Sequence, residues 1–223
     1  SLIKWWHQNK NLQIQEGYGL TESAAAGILI PREYINVKPG SAGKPLMHTD
    51  IKVVKPDGTN ADENSPGELL IKGPNITPGY WNNSDATEKS ISNGWFKTGD
   101  IVRIDKDGFI YIEDRIDDMY ISAGENIYPA EIESVLYQIP GIREVAVFGV
   151  PDDQWGFTGC AAIVCDKNKL LTEKNMYDFC IEKLAKFKIP KHYVFYELLP
   201  RGATGKVLKY QLRNEFKDKL KKS

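Results

Sequence analysis

Four polar, glycine-bearing stretches interrupt this 223-residue chain, and each carries side chains able to do chemistry. They are "EGYGLTES" (16–23), "GWFKTGD" (94–100), "DRIDDMYISAGENIYPAEIE" (114–133) and "LPRGATGKVLKYQLR" (199–213). The last contains Gly205-Lys206, a pairing that raises phosphate chemistry. A P-loop needs Gly-x-x-x-x-Gly-Lys-Ser/Thr, so that backbone N–H groups wrap the phosphates and the final hydroxyl holds Mg²⁺. Pro200 occupies the first glycine position and Val207 follows the lysine, so Lys206 is not a P-loop lysine. It is either a mobile surface cation or a charge delivered to an anionic centre from a Gly/Ala/Thr loop. Taken singly, Gly17-Tyr18-Gly19 and Thr98-Gly99-Asp100 fit turns, and Thr21-Glu22 fits a helix start.

The composition narrows the chemistry. A net charge of −1 argues against a nucleic-acid partner, which a strong basic excess would mark. No apolar run approaches the roughly 18 residues needed to cross a bilayer, and no basic-then-apolar leader is read at the N-terminus. Cys160, Cys165 and Cys180 are odd in number and lack metal-ligand spacing, which suits reduced thiols and a cytoplasmic location. His7, His48 and His192 are scattered, so a histidine-bound metal centre is not expected.

The elements that must position these stretches differ along the chain. Residues 44–113 read as short strands joined by turns: "DIKVVKPDGT", "GELLIKGP", and "DIVRIDKDGFIYIED" as two alternating runs around a turn. That turn resembles a Ca²⁺ loop, but Arg103 and Asp114 stand where the loop needs its first acid and its Glu. After about residue 117 strands and helices alternate. Pro129 suits a first helical position, with Ile132, Val135, Leu136 and Ile139 as the apolar stripe. "REVAVFGV" and "CAAIVC" predict strands buried on both faces. Further helices are expected over 173–186 and along Leu208, Leu212, Phe216 and Leu220. The predicted class is α+β, a β-rich, distorted barrel-like subdomain followed by a small α+β domain. The predicted boundaries are 1–32, 33–116 and 117–223.

Together, in this order, the four stretches resemble the AMP-forming adenylating enzymes: acyl-CoA synthetases, peptide-synthetase adenylation domains and luciferases. "GELLIKGPNITPGYWNNSDATEKSISNGWFKTGD" matches between the stretches, and the similarity runs from about Glu16 to Phe216. The resemblance implies that Tyr18 stacks on adenine, with Gly19 beside it in the nucleotide site. Thr21 would bond the α-phosphate, and Glu22 would hold Mg²⁺, since an acid among phosphates requires a metal. Asp100 would accept from the ribose hydroxyls and Arg115 would face the nucleotide. Lys206 would bridge the carboxylate substrate and α-phosphate while the acyl-adenylate forms, its flexible glycine loop letting it reach in and leave.

The same resemblance implies two half-reactions. A carboxylic acid and ATP give acyl-AMP, whose acyl group passes to coenzyme A. A swing of residues 117–223, as a lid hinged at Asp117, would separate the steps. Gly124 would then border the pantetheine tunnel, and Lys186, Lys188 and Lys191 are candidate contacts for CoA phosphates. "DMYISAGENIYPAEIE" with "LPRGATGKVLKYQLR" looks like the fatty-acid or aryl-acid CoA ligases, and Gly17 would leave room for a bulky acyl group. Phe157 departs from the family, which carries glutamate there. Because the family's phosphate loop lies upstream of the Tyr-Gly-x-Thr-Glu stretch, the chain is expected to be an inactive piece of a longer enzyme. Its apolar "LIKWW" makes self-association an expectation. Two alternatives are an adenylation enzyme that loads a carrier-protein thiol, and a non-catalytic nucleotide- or partner-binding module.

Overall fold

The computed structural model describes residues 2–166 and 171–220. The chain divides into two compact units, Ser1–Ile116 and Asp117–Ser223. In the first, α1 (Leu2–Lys10) precedes a small sheet of β1 (Gly17–Tyr18), β2 (Ile28–Leu29) and β3 (Lys44–Pro45). A larger antiparallel sheet follows, from β4 (Asp50–Val54) and β5 (Gly67–Lys72), then α2 (Ser84–Ser90), β6 (Ile91–Ser92), β7 (Trp95–Ile104) and β8 (Ile110–Arg115). The long β7 is central. β5 runs along one edge, while β6 covers the start of the other edge and β8 its end.

Alternation explains this sheet. Leu69, Ile71, Phe96, Val102 and Ile110 point to one apolar cluster, which Ile28 from the small sheet joins. Register shifts at Glu68/Leu70 and Ile101/Val102 bend and twist the ladder, giving a curled half-barrel instead of a flat sheet. The β7–β8 hairpin forms as its alternation predicts. Asp105 accepts the N–H groups of Asp107 (3.0 Å) and Phe109 (2.9 Å) and pairs with Lys38 at 2.7 Å.

The second unit begins with a hairpin, β9 (Tyr120–Ser122) and β10 (Glu125–Ile127), followed by α3 (Pro129–Leu136). Next come β11 (Ile142–Asp152), β12 (Gly156–Cys165), α4 (Glu173–Ile181), β13 (His192–Phe195) and α5 (Lys209–Leu220). The sheet order is β10-β9-β12-β11, with β13 added parallel to β12. As the continuous apolar runs require, β11 and β12 are buried on both faces. Val145, Val147, Ala161 and Ile163 meet the residues of α3 and α4; Ala146, Phe148, Cys160 and Ala162 meet Leu212 and Phe216 of α5. Pro129 takes the first position of α3, and Ile132 and Leu136 are buried beneath it.

One boundary differs from expectation. α4 ends at Ile181 rather than near residue 186, because the N–H groups of Lys183 (3.0 Å) and Leu184 (2.8 Å) both turn back to the Cys180 carbonyl. A short 3-10 turn over Lys186–Lys188 follows. The side chain of Leu220, last of the predicted stripe on α5, lies outside the described residues.

Candidate nucleotide and catalytic sites

In the first unit, strand register brings three of the predicted residues together. Asp100 on β7 pairs directly with Arg115 on β8. Its side chain is only 7% exposed, and Arg115 Nη1 approaches Oδ1 at 3.3 Å. The phenol of Tyr18 donates to the other oxygen, Oδ2, at 2.5 Å. Burial and this negative partner push the Tyr18 phenol well above its ordinary value, so it remains a protonated donor across the neutral range. A carboxylate offers about four lone-pair directions. Tyr18 and Arg115 engage one on each oxygen, leaving one per oxygen for two neighbouring hydroxyls.

Side chains without an assigned role hold Asp100 in place. The Thr98 hydroxyl donates to the Leu69 carbonyl at 2.8 Å and accepts the Asp100 N–H at 3.1 Å. Glu68 accepts the Gly99 N–H at 3.3 Å, and Gly99 itself needs the left-handed region at φ +71°. Thr98 and Glu68 lie within motifs legible in the sequence, but their bonds depend on strand register, which residue order alone does not reveal.

Thr21 and Glu22 sit on a single 3-10 turn, Thr21–Ser23, ahead of two consecutive left-handed alanines, Ala24 (φ 51°) and Ala25 (φ 75°). Such a pair of non-glycine residues is uncommon and must be held by its surroundings. The Ala25 N–H bonds the Leu20 carbonyl at 2.9 Å, and Asn75 donates its side-chain amide to the carbonyls of Ser23 (3.3 Å) and Ala26 (3.2 Å). Gly19 is where it is because a Cβ there would lie 1.8 Å from the Ala25 carbonyl oxygen. Thr21 is exposed. Glu22 accepts the Tyr80 hydroxyl at 2.8 Å through Oε1, and its backbone carbonyl accepts Thr77 N–H at 2.8 Å. Sequence reasoning gave Asn75, Thr77 and Tyr80 no role at this site, although they lie within "GPNITPGYW", whose "NIT" has the form of a glycosylation sequon.

The donor set at Glu22 fits magnesium in one mode only. Among the described residues no group of three or more His, Cys, Asp or Glu could cage an ion. Mg²⁺ bound to nucleotides takes one or two carboxylates and fills the remaining positions with phosphate oxygens and water. Glu22, with one oxygen engaged by Tyr80, suits that mode.

In the second unit Asp117 is the exposed first residue, and the neighbouring Asp118 is 3.5 Å from Lys209. Ala123 and Gly124 both have positive φ, 52° and 84°, and make the two-residue primed turn between β9 and β10. Open space surrounds the Cβ position of Gly124, so within this unit the turn, not crowding, requires glycine. Lys188 pairs with Glu131 at 2.7 Å and Lys191 with Asp152 at 2.9 Å. Phe157 is partly exposed at the start of β12.

Lys206 is exposed, on a loop whose backbone is internally hydrogen-bonded. Residues 200–208 form a closed hairpin in which Leu208 N–H bonds Pro200 O, Gly202 N–H bonds Lys206 O and Gly205 N–H bonds Gly202 O, each at 2.9 Å. Backbone pairing satisfies these peptide groups locally and sets the lysine on a defined hairpin.

Comparisons with known proteins bear on both units. Residues 1–81 match the family model "AMP-binding enzyme", and residues 131–206 match "AMP-binding enzyme C-terminal domain". The long-chain-fatty-acid–CoA ligase FadD13 of Mycobacterium tuberculosis is 46% identical over 207 residues, covering 93% of this chain and 41% of that protein. The 2-succinylbenzoate–CoA ligase of Bacillus cereus is 44% identical over 204 residues, covering 92% and 42%. The o-succinylbenzoate CoA synthetase of Bacillus subtilis, solved with its acyl-adenylate, superposes with a TM-score of 0.89 at 40% identity, covering 95% and 43%. The same enzyme solved with ATP and magnesium ion gives 0.85 at 40% identity, covering 92% and 42%. The chain thus spans well under half the length of these relatives.

Proposed function

Because this chain belongs to the AMP-binding enzymes of the adenylate-forming superfamily and carries their C-terminal domain, we propose that its complete gene product is an AMP-forming carboxylate–CoA ligase. The observation that carries this reading is Asp100, buried between Tyr18 and Arg115 with one acceptor position left on each oxygen. A ribose diol presents two hydroxyls at the matching spacing, and the Tyr18 ring beside it offers an apolar face to adenine.

The reaction then proceeds in two displacements. An oxygen of the carboxylic acid attacks the α-phosphorus of ATP, a P–O bond forms, and pyrophosphate leaves with the electrons of the broken bond. Thr21 orients the α-phosphate through its hydroxyl. Bound Mg²⁺, held by Glu22, would neutralise phosphate charge. Lys206 places its cation between the carboxylate and the phosphate. Unit charges about 4 Å apart at an effective dielectric near 20 interact by roughly 4 kcal/mol. Realising most of that in the transition state gives a rate effect on the order of a hundred- to a thousandfold. In the second step the thiol sulfur of CoA attacks the acyl carbon and AMP departs. Asp117 is the hinge on which residues 117–223 serve as a lid, and the Ala123–Gly124 turn borders the path of the thiol arm. Lys188 and Lys191 already pair with carboxylates, which leaves Lys186 as the simplest of the three contacts for a CoA phosphate.

The acyl substrate is a fatty or aryl acid, with Gly17 at the edge of its pocket, and a fatty acid is our first choice. Self-association of the isolated chain through Trp5, 48% exposed, and Trp81, 92% exposed, belongs to the same proposal. The test is carboxylate-dependent exchange of pyrophosphate into ATP by the complete gene product, across a panel of fatty and aryl acids. Lys206→Ala should lower it about a hundredfold or more while sparing thioester formation from supplied acyl-AMP. No exchange with any acid would remove the ligase reading. Transfer to a phosphopantetheinyl carrier in place of CoA would change the acceptor.

A further inference from the structure

Arg201 stands at the stem of the Lys206 hairpin and has no part in the reaction as described so far. Its guanidinium reaches in two directions. Nη1 donates to the carbonyl of Gly205, the residue immediately before Lys206, at 2.6 Å. Nη2 pairs with the carboxylate of Glu144. Glu144 lies on β11, just after the register shift that follows Ile142, so it is anchored in the central sheet of the second unit. Arg201 itself is bridged across the hairpin to Val207. The lysine's peptide is therefore tied through one side chain to the most deeply buried strand pair of its unit.

From this geometry we infer that Arg201 is a positioning residue for Lys206, holding the lysine hairpin in register with the sheet. The inference rests on the proposed role of Lys206. Two features separate it from ordinary surface pairing. First, the ion pair is substantially exposed, with Arg201 at 46%, and such pairs contribute little to stability. Its effect should therefore fall on placement. Second, the planar fork reaches its two acceptors through separate nitrogens, Nη1 and Nη2, held at a fixed angle; a lysine at 201 would have to serve both from a single ammonium atom. On the other flank, Lys209 opens α5 and pairs with Glu133 at 2.8 Å. A cation is intrinsically disfavoured at a helix N-terminus, so that pair secures the far stem of the same hairpin.

The test uses the complete gene product with Arg201→Ala, Arg201→Lys and Lys206→Ala, following the two half-reactions separately. Misplacement of a reacting group by about 1 Å costs up to roughly a hundredfold. Arg201→Ala and Arg201→Lys should both lower pyrophosphate exchange by about ten- to a hundredfold, leaving the acyl-AMP-to-thioester step and the melting temperature unchanged. In the Lys206→Ala background, Arg201→Ala should cost nothing further, the non-additivity expected of residues acting as a unit. If Lys206→Ala abolishes exchange but Arg201→Ala does not lower it, the clamp is wrong and the function stands. Equal losses in both half-reactions with a lowered melting temperature, or full activity of Arg201→Lys, also overturn the clamp. If Lys206→Ala itself is harmless, the proposed function falls first.

Discussion

The phenol of Tyr18 donates a 2.5 Å hydrogen bond to Oδ2 of Asp100, joining two motifs 82 positions apart. The contact occupies one side of a nearly buried carboxylate whose other oxygen faces Arg115 at 3.3 Å. The carboxylate plane is thereby set by two partners, and under the proposed function Tyr18 would act on both halves of a nucleoside: on the base through its ring, and on the sugar through Asp100.

Tyr18→Phe separates these two actions. The ring survives, and the hydrogen bond to a charged group is lost, an interaction of about 1.5–3 kcal/mol. The affinity of the complete gene product for AMP should fall by about tenfold or more. For 2′-deoxy-AMP, which lacks one of the hydroxyls Asp100 would accept, the fall should be smaller. Calorimetric titration of both ligands into wild type and variant checks this. Equal losses would mean that the phenol serves the base alone.

Gly19 and Gly124 both stand in stretches with proposed roles, but for different reasons. A Cβ at Gly19 would lie 1.8 Å from the Ala25 carbonyl oxygen, whereas at Gly124 it meets nothing within 4 Å. Gly19→Ala should cost upward of about 1–3 kcal/mol, as overpacking against backbone does, and should displace the Thr21–Glu22 turn. Gly124→Ala should cost about 1 kcal/mol, the strain of a side chain at positive φ. Urea denaturation of the two variants orders them; a reversed order would show that the Ala25 turn yields more readily than its hydrogen bonds suggest.

Tyr120 lies across the paired glycines Gly149 and Gly159, where Cβ atoms would come within 2.6 and 2.7 Å of it. Its hydroxyl is buried without a hydrogen-bond partner among the described residues, and burial raises its pKa, as it does for Tyr193. Tyr196 is raised to about 12, again first by burial. The unfolded phenols ionise near about 10. Above that pH the unfolded state has lost protons that the native state keeps, so stability is fully present below about pH 10 and declines as pH rises beyond it. Tyr120→Phe should match or exceed wild-type stability near neutrality, by up to about 1–3 kcal/mol, since it removes an unpaired buried hydroxyl. It should also flatten the decline measured by urea titration between about pH 9 and pH 12. A variant less stable at neutral pH with an unchanged alkaline slope would count against both points.

Much of the architecture could be read from patterning. The β7–β8 hairpin, the two-faced burial of β11 and β12, and α3 opening on Pro129 all follow from periodicities of two or 3.6 and from local turn chemistry. The end of α4 did not, because two amides competing for the Cys180 carbonyl leave no mark in composition. The motif residues, which taken singly fit ordinary turns, could be picked out only through the order in which the four stretches stand and the family they resemble.

By itself, then, the sequence determined which side chains are available for chemistry and which segments are strands or helices. Those properties depend on residue type and on neighbours within a few positions. Only the tertiary structure decided that Tyr18 and Asp100 share a hydrogen bond, that Tyr80 meets Glu22, and that Arg201 ties Gly205 to Glu144. Each of these joins groups whose approach is set by strand register and chain crossing. A hydrogen bond forms or fails within a few tenths of an ångström, a precision that packing supplies and local propensity does not.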